Sequence, residues 1–418
     1  MNPVSARRRY ALVSALTWLP PGLMMAPLVL LMAGRGLGVA QIGAVMGLYG
    51  LTVVVLELPT GGLSDVIGRR TVLAASGAFS AAAYTVLVLA HSLPMFMLGC
   101  ALKGVARALS SGPAQAWYVD TLHAAEGRDA DLKPGLARGE AMGSIALCAG
   151  VVTGGLLPLG LSSVVAEPLA APLVLAGVAS VLLLTVVLVA LPEPPRERLG
   201  LGEVLRGVPL SIRTGVGVAV RDGVLARMLG VSAAAGIALC SIELLTPIRL
   251  GELTGGAGST AYGMVAAVGF AASAAGNALA PAFARIAGGS IRGARAGAVV
   301  TVLALGGLAA STALPGPAGV AATAGAYLVM FVGLSAATLL HVEIMHGRVE
   351  SAQRATLLSV DSLALQLGGF LANVGLGWLA GRVGIGAAWA VASGLMLLST
   401  LLYPRTRAVL AVAPGRAP

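Results

Sequence analysis

Apolar residues in this 418-residue chain run in long uninterrupted blocks, without the alternation of a half-buried strand. No Asp, Glu, Lys or Arg occurs from Tyr10 to Gly34, from Gly36 to Leu56, or from Thr71 to Leu102. A helix crosses the hydrocarbon of a bilayer with about 20 apolar residues. Cutting the blocks at Gly/Pro clusters gives spans near 10–32, 38–60, 71–91, 94–118, 139–160, 169–191, 225–248, 259–284, 295–314, 318–341, 356–379 and 384–403. The longest block, Ala296–Leu340, is too long for one crossing, and Leu314-Pro-Gly-Pro-Ala-Gly319 divides it at a turn. The pattern predicts an all-α integral membrane protein with twelve transmembrane helices.

Composition agrees. Charged residues make up 11% of the chain and hydrophobic ones 57%, whereas a soluble domain carries about 25% charged residues. The net charge of +10 points to loop placement, not nucleic acid, because Lys and Arg of membrane proteins gather in cytoplasmic loops. With the N-terminus inside, every Lys and Arg except Arg35, Lys103, Arg107, Arg249 and Arg382 falls in an inner segment. A miscount of one helix would flip every later loop and erase that asymmetry. The expected location is therefore the cell's inner membrane, multi-pass, with both termini cytoplasmic. Arg7-Arg8-Arg9 before a long uncharged run reads as the start of an uncleaved first span.

The most polar stretch, Pro192–Arg227, divides the chain into an N-terminal six-helix bundle (1–191), a cytoplasmic linker (192–224) and a C-terminal six-helix bundle (225–418). Arg206, Arg213, Arg221 and Arg227 recur among Val and Leu there, which suits either an amphipathic segment on the inner leaflet or a solvated linker. Cys100, Cys148 and Cys240 are odd in number and share no ligand spacing, so no disulfide framework or metal is implied. No phosphate-binding G-x-x-x-x-G-K-[ST] loop is present. Four scattered histidines supply no catalytic set, and no enzyme, cofactor or metal is expected.

Between the second and third spans lies Gly61-Gly-Leu-Ser-Asp65-Val-Ile-Gly68-Arg69-Arg70-Thr-Val-Leu73. This G-x-x-x-D-x-x-G-R-R-x-x-L pattern resembles the signature loop of major facilitator superfamily transporters, with Val66 where a basic residue is common. Fainter echoes follow the eighth and eleventh spans, at Gly276–Arg285 with Ala280 in the acid position, and at Gly377–Gly384 with Gly381 there. The resemblance implies two pseudo-symmetric bundles built from duplicated units. It also implies a gating set of Gly61, Asp65, Gly68, Arg69, Arg70 and Asp120, in which Asp65, Arg69 and Asp120 latch one state. In the fifth span, Gly150 and Gly154 match part of the exporter signature of the family, while Gly155 and Pro158 depart from it.

Ionisable residues inside spans are expensive and so tend to be paired or functional. Glu57, Lys103, Arg107 and Glu243 are the candidates for a coupling and substrate cavity. Lys103 and Arg107, four apart, share one helix face, and Glu57 is a potential partner. Two cations against one acid leave a positive surplus for an anionic substrate group. Glu243 is the leading protonatable carboxylate. Asp361 and Glu140 read as helix-start acids, and His341, Glu343 and His346 as a solvated rim. Trp18, Pro20 and Pro21 are expected to kink the first span.

The sequence reads as a secondary transporter of the facilitator type, resembling its drug and metabolite efflux branches. Its partners would be a small-molecule substrate, protons and the lipid bilayer, with no nucleic acid, and a monomer would suffice. Export of a small amphiphilic compound is the leading expectation. Uptake by the same fold, or a non-transporting receptor or scaffold, are the alternatives.

Overall fold

The computed structural model describes residues 2–127, 129–192, 222–348 and 354–404; the side chains of 58, 59, 61, 62, 65, 66 and 354–356 lie outside that description. Fourteen α-helices are described: α1 (Pro3–Met25), α2 (Pro27–Gly34), α3 (Val39–Ile67), α4 (Arg69–Leu89), α5 (Leu93–Ser110), α6 (Pro113–Glu126), α7 (Lys133–Leu161), α8 (Ala171–Ala190), α9 (Gly223–Thr254), α10 (Gly258–Ala287), α11 (Ser290–Ser311), α12 (Gly316–His346), α13 (Arg354–Val383) and α14 (Ile385–Ser399). No strand occurs among the described residues.

Ten segments are long and apolar enough to cross a membrane, and the bent pair α1–α2 makes an eleventh. One of the ten, Gly223–Ala287, has 65 residues, which as a single helix would run about 98 Å, three bilayer cores. Gly255, at φ 58°, breaks it into α9 and α10. Twelve spans result, in the order the sequence pattern predicts.

Three local boundaries differ from expectation. The first span carries Pro20 and Pro21 inside one continuous helix and bends by 40° at Ala26, before Pro27. The fourth span is two helices. Gly112, at φ 93°, stands between them, held out of the helical region by Pro113. Asp120 therefore lies in the middle of α6, not at a span end. The charged motif is not a loop: α3 continues to Ile67, and Gly68 alone, at φ 114°, turns the chain into α4. The later echoes end in the same device, Gly289 at φ 129° and Gly384 at φ 118°, each opening the next helix.

The chain forms two compact units. Unit 1 comprises residues 1–37, 48–209 and 256–264; unit 2 comprises 38–47, 210–255 and 265–418. In unit 1, α1 packs on α7, and α4 packs on α5 and α8. In unit 2, α9 packs on α13, and α11 packs on α12 and α14, the same pairing scheme six spans later. The linker reading for Pro192–Arg227 falls mostly on residues outside the description.

Arginines close helix ends in both units. Arg35 donates to the Leu87, Val88 and Ala90 carbonyls at the end of α4, at 3.2, 2.8 and 2.6 Å. Arg249 does the same for Ser311, Thr312 and Leu314 at the end of α11, at 3.2, 3.2 and 2.8 Å. Arg70 at the start of α4 donates to the Leu188 carbonyl of α8. Arg295 near the start of α11 donates to the Tyr403 carbonyl just past α14. The last carbonyls of a helix lack intrahelical partners and carry its negative pole, so a guanidinium fork satisfies several at once.

Candidate functional site

Unit 1 encloses a cavity lined by Trp18 of α1, Tyr49 of α3, Ser76, Ser80 and Tyr84 of α4, and Lys103 and Arg107 of α5. Both cations sit on aromatic faces. The Lys103 ammonium lies 3.9 Å from the Tyr49 ring centroid, and the Arg107 guanidinium 4.6 Å from that of Trp18. Lys103 is 8% exposed. Such a contact contributes about 2 kcal/mol when desolvated, less than full hydration of an ammonium. The rings hold the heads in place while leaving their donors to a further partner. Among the described residues, no acidic one is in the cavity lining.

Close approaches set these pairings. A Cβ on Gly104 would meet the Thr52 side chain at 2.7 Å, so glycine there lets α5 press onto α3 and brings Lys103 to Tyr49. A Cβ on Gly143 of α7 would meet Trp18 Cδ1 at 2.8 Å. The glycines of α7 thus seat aromatic rings and the α1 backbone, which is a packing role. The cavity volume is about 40 Å³, room for roughly three waters. A drug-sized ligand needs about 300–1,000 Å³, so the space as it stands fits a small anionic group and not a whole amphiphile.

The other candidates are dispersed. Glu57 lies on α3, where its carboxylate is 3.5 Å from Ser111 Oγ at the α5–α6 break; it is not among the cavity lining. Nearby, Thr60 Oγ1 donates to the Ala108 carbonyl at 3.0 Å, tying α3 to α5. Glu243 is half-buried on α9. Arg69 pairs with Asp120 and donates to the Ala116 carbonyl, joining the start of α4 to α6. Arg70 holds α8, as above. Gly61 and Asp65 fall in the last turns of α3, with side chains outside the description.

Sequence reasoning missed two things. It treated Trp18 as part of a kink, whereas Trp18, Tyr49 and Tyr84 converge on one cavity. It also placed His341 at a solvated rim and Asp361 at a helix start. His341 is 3% exposed, and Asp361 stands in the third turn of α13, bonded to it. Outside the spans, Glu167 takes a hydrogen bond from Arg35 that holds its carboxyl below the usual range.

The family model for the Major Facilitator Superfamily matches residues 10–346. The chain belongs to that superfamily. It is 36% identical over 107 residues to the inner membrane transport protein YajR of Escherichia coli K12, a stretch covering 25% of this chain and 24% of that relative. The chain thus spans about a quarter of the length of that relative. Among solved structures, it resembles the nucleoside transporter NupG with a TM-score of 0.77 at 14% identity, over all of both chains. It also resembles the peptide transporter POT in complex with sulfate, with a TM-score of 0.68 at 14% identity, over 98% of this chain and 94% of that one. These likenesses establish the fold. The chain is a multi-pass membrane protein of a transporter family.

Proposed function

We propose that this chain is a proton-coupled secondary transporter exporting small amphiphilic compounds that carry an anionic group. The observation that carries the reading is the unit 1 cavity, where Lys103 and Arg107 sit on aromatic rings with no carboxylate among the described residues of the lining. A buried and a half-buried cation at membrane depth attract an anion, and the neighbouring rings suit an apolar body beside it. The small volume fits alternating access, in which the site widens toward one side at a time. The setting is the inner membrane, both termini cytoplasmic, with a monomer sufficient. Export rests on the sequence resemblance, and uptake would use the same residues.

In the gating role, Asp65 acts with Arg69 and Asp120. Asp65→Asn should abolish transport while the yield of folded protein stays near wild type; near-normal transport would remove that role. The function itself is tested in proteoliposomes with an imposed pH gradient and a panel of organic anions, neutral drugs and lipophilic cations. Gradient-driven movement of the anions is expected, with its direction read from the sign of the gradient. Movement of cations alone would overturn the substrate class. No movement by folded protein would favour the receptor or scaffold reading.

A further inference from the structure

Unit 2 holds a polar cluster drawn from three helices. Ser232 of α9 donates its hydroxyl to Asp361 Oδ1 of α13, and its Oγ lies 2.9 Å from His341 Nε2 of α12. The same Nε2 lies 3.3 Å from Asp361 Oδ1. Ser232 is 4% exposed, and the Asp361 side chain 14%. Small residues make the meeting possible: a Cβ on Gly236 would come within 1.9 Å of the Leu365 carbonyl, so α9 and α13 touch along their backbones.

With Asp361 ionised, the contacts set where the other protons lie. A serine hydroxyl has one hydrogen, and Ser232 gives it to the carboxylate. Its Oγ therefore accepts from His341, which places a hydrogen on Nε2. The position left to gain or lose a proton is Nδ1, which is buried and has no hydrogen-bond partner among the described residues. An imidazole changes charge between about pH 5 and 8. The adjoining cavity, about 20 Å³, has room for a single water to deliver the proton.

Other titratable and charged groups surround the cluster. Tyr403 also lines the cavity; its hydroxyl is buried with no hydrogen-bond partner among the described residues, and Arg295 of α11 holds only its backbone carbonyl, at 3.2 Å. Asp222 ahead of α9 meets Arg348 past α12 at 3.4 Å. Arg227 of α9 bonds the Gly223 carbonyl, and Glu343 of α12 accepts from Ser290. Arg292 of α11 is exposed. His346 lies five residues beyond His341 on α12, its Nε2 buried with no partner among the described residues. The side chain of Arg354 on α13 is outside the description.

We infer that Ser232, His341 and Asp361 form the proton-carrying site of this transporter, with one exchangeable proton at His341 Nδ1. The inference rests on the transport reading above. With Nδ1 protonated, imidazolium and carboxylate cancel, and the cluster sits in its apolar bundle as a neutral pair. With the proton gone, one negative charge remains, and an unpaired charge in a dry interior is costly. Deprotonation thus favours whichever conformation admits water to the cluster, and that preference couples proton release to movement of the unit.

The test separates the site from the transport reading. Full-length protein with isotope-labelled histidine is titrated in nanodiscs by NMR, with His341→Gln assigning the His341 signal and Ser232→Ala as a milder change. A protonation step at Nδ1 is expected, with its midpoint moved in Ser232→Ala and Asp361→Asn. In proteoliposomes, Asp361→Asn and His341→Gln should keep substrate counterflow, which needs no net proton movement, and lose gradient-driven accumulation. A His341 signal that does not titrate, or unchanged accumulation in both variants, overturns the site. A wild type that moves no substrate while His341 still titrates overturns the transport reading and leaves a proton-binding site standing.

Discussion

The two units share a frame and differ in what they bury. Arg35 and Arg249 end corresponding spans and close the α4 and α11 helix ends with the same three-carbonyl grip. Arg70 and Arg295 repeat the parallel on α8 and the end of α14. Inside that common frame, unit 1 encloses two cations on aromatic rings. Unit 2 encloses a carboxylate, an imidazole and a hydroxyl. The duplicated parts are those that satisfy backbone groups, which every such bundle must do. The parts that differ are those to which the proposals assign a substrate or a proton. The difference implies a division of labour, with the anion bound in one unit and the proton carried in the other.

The largest effect should come from removing the cations. Losing one charged partner of a buried anion costs about 2 kcal/mol or more, roughly 30-fold in affinity. Lys103→Gln with Arg107→Gln should therefore abolish measurable uptake into proteoliposomes while His341 titrates as before. Altered titration would show that the units are not separate in this respect. Next comes the shared frame. Arg35→Ala and Arg249→Ala each leave partly exposed helix-end carbonyls without their donor, at about 1 kcal/mol. Similar drops in thermal midpoint support the equivalence, and a drop in one alone breaks it.

A smaller effect on binding is expected at the support of the cavity. Gly143→Val drives a side chain into Trp18 and costs about 1–3 kcal/mol of overpacking, weakening anion binding several-fold through the displaced ring under Arg107. Unchanged affinity would detach Trp18 from the site. The smallest concerns Glu167, whose carboxyl is held low chiefly by its hydrogen bond from Arg35. A depressed carboxyl contributes stability above its unfolded pKa and loses it as pH falls through the folded value. Wild type should thus be slightly more stable than Glu167→Gln at neutral pH, and the gap should close in acid. A gap that widens in acid contradicts the sign.

The fold was legible because charge-free blocks of bilayer length are set by solvent and need no tertiary knowledge. The breaks were less so. Pro20 and Pro21 lie inside one continuous helix, and the 40° bend comes five residues later, at Ala26. Lys103 and Arg107 were readable from their spacing on one helix. Their aromatic partners were not, since Trp18 lies 89 positions before Arg107 and Tyr49 lies 54 before Lys103. Ser232 and Asp361 are 129 positions apart, and no local pattern joins them to His341. His341 and Asp361 looked like ordinary span-end residues until three helices brought them together with Ser232.

The division of labour is tested most directly by equilibrium binding of one transported organic anion, at acidic and at alkaline pH, to three proteins in nanodiscs. These are wild type, Lys103→Gln with Arg107→Gln, and Asp361→Asn. Wild-type affinity should change with pH. The cation variant should lose binding at both pH values, and Asp361→Asn should keep binding with its pH dependence shifted. Binding that survives loss of both cations, or that vanishes in Asp361→Asn, would contradict the account.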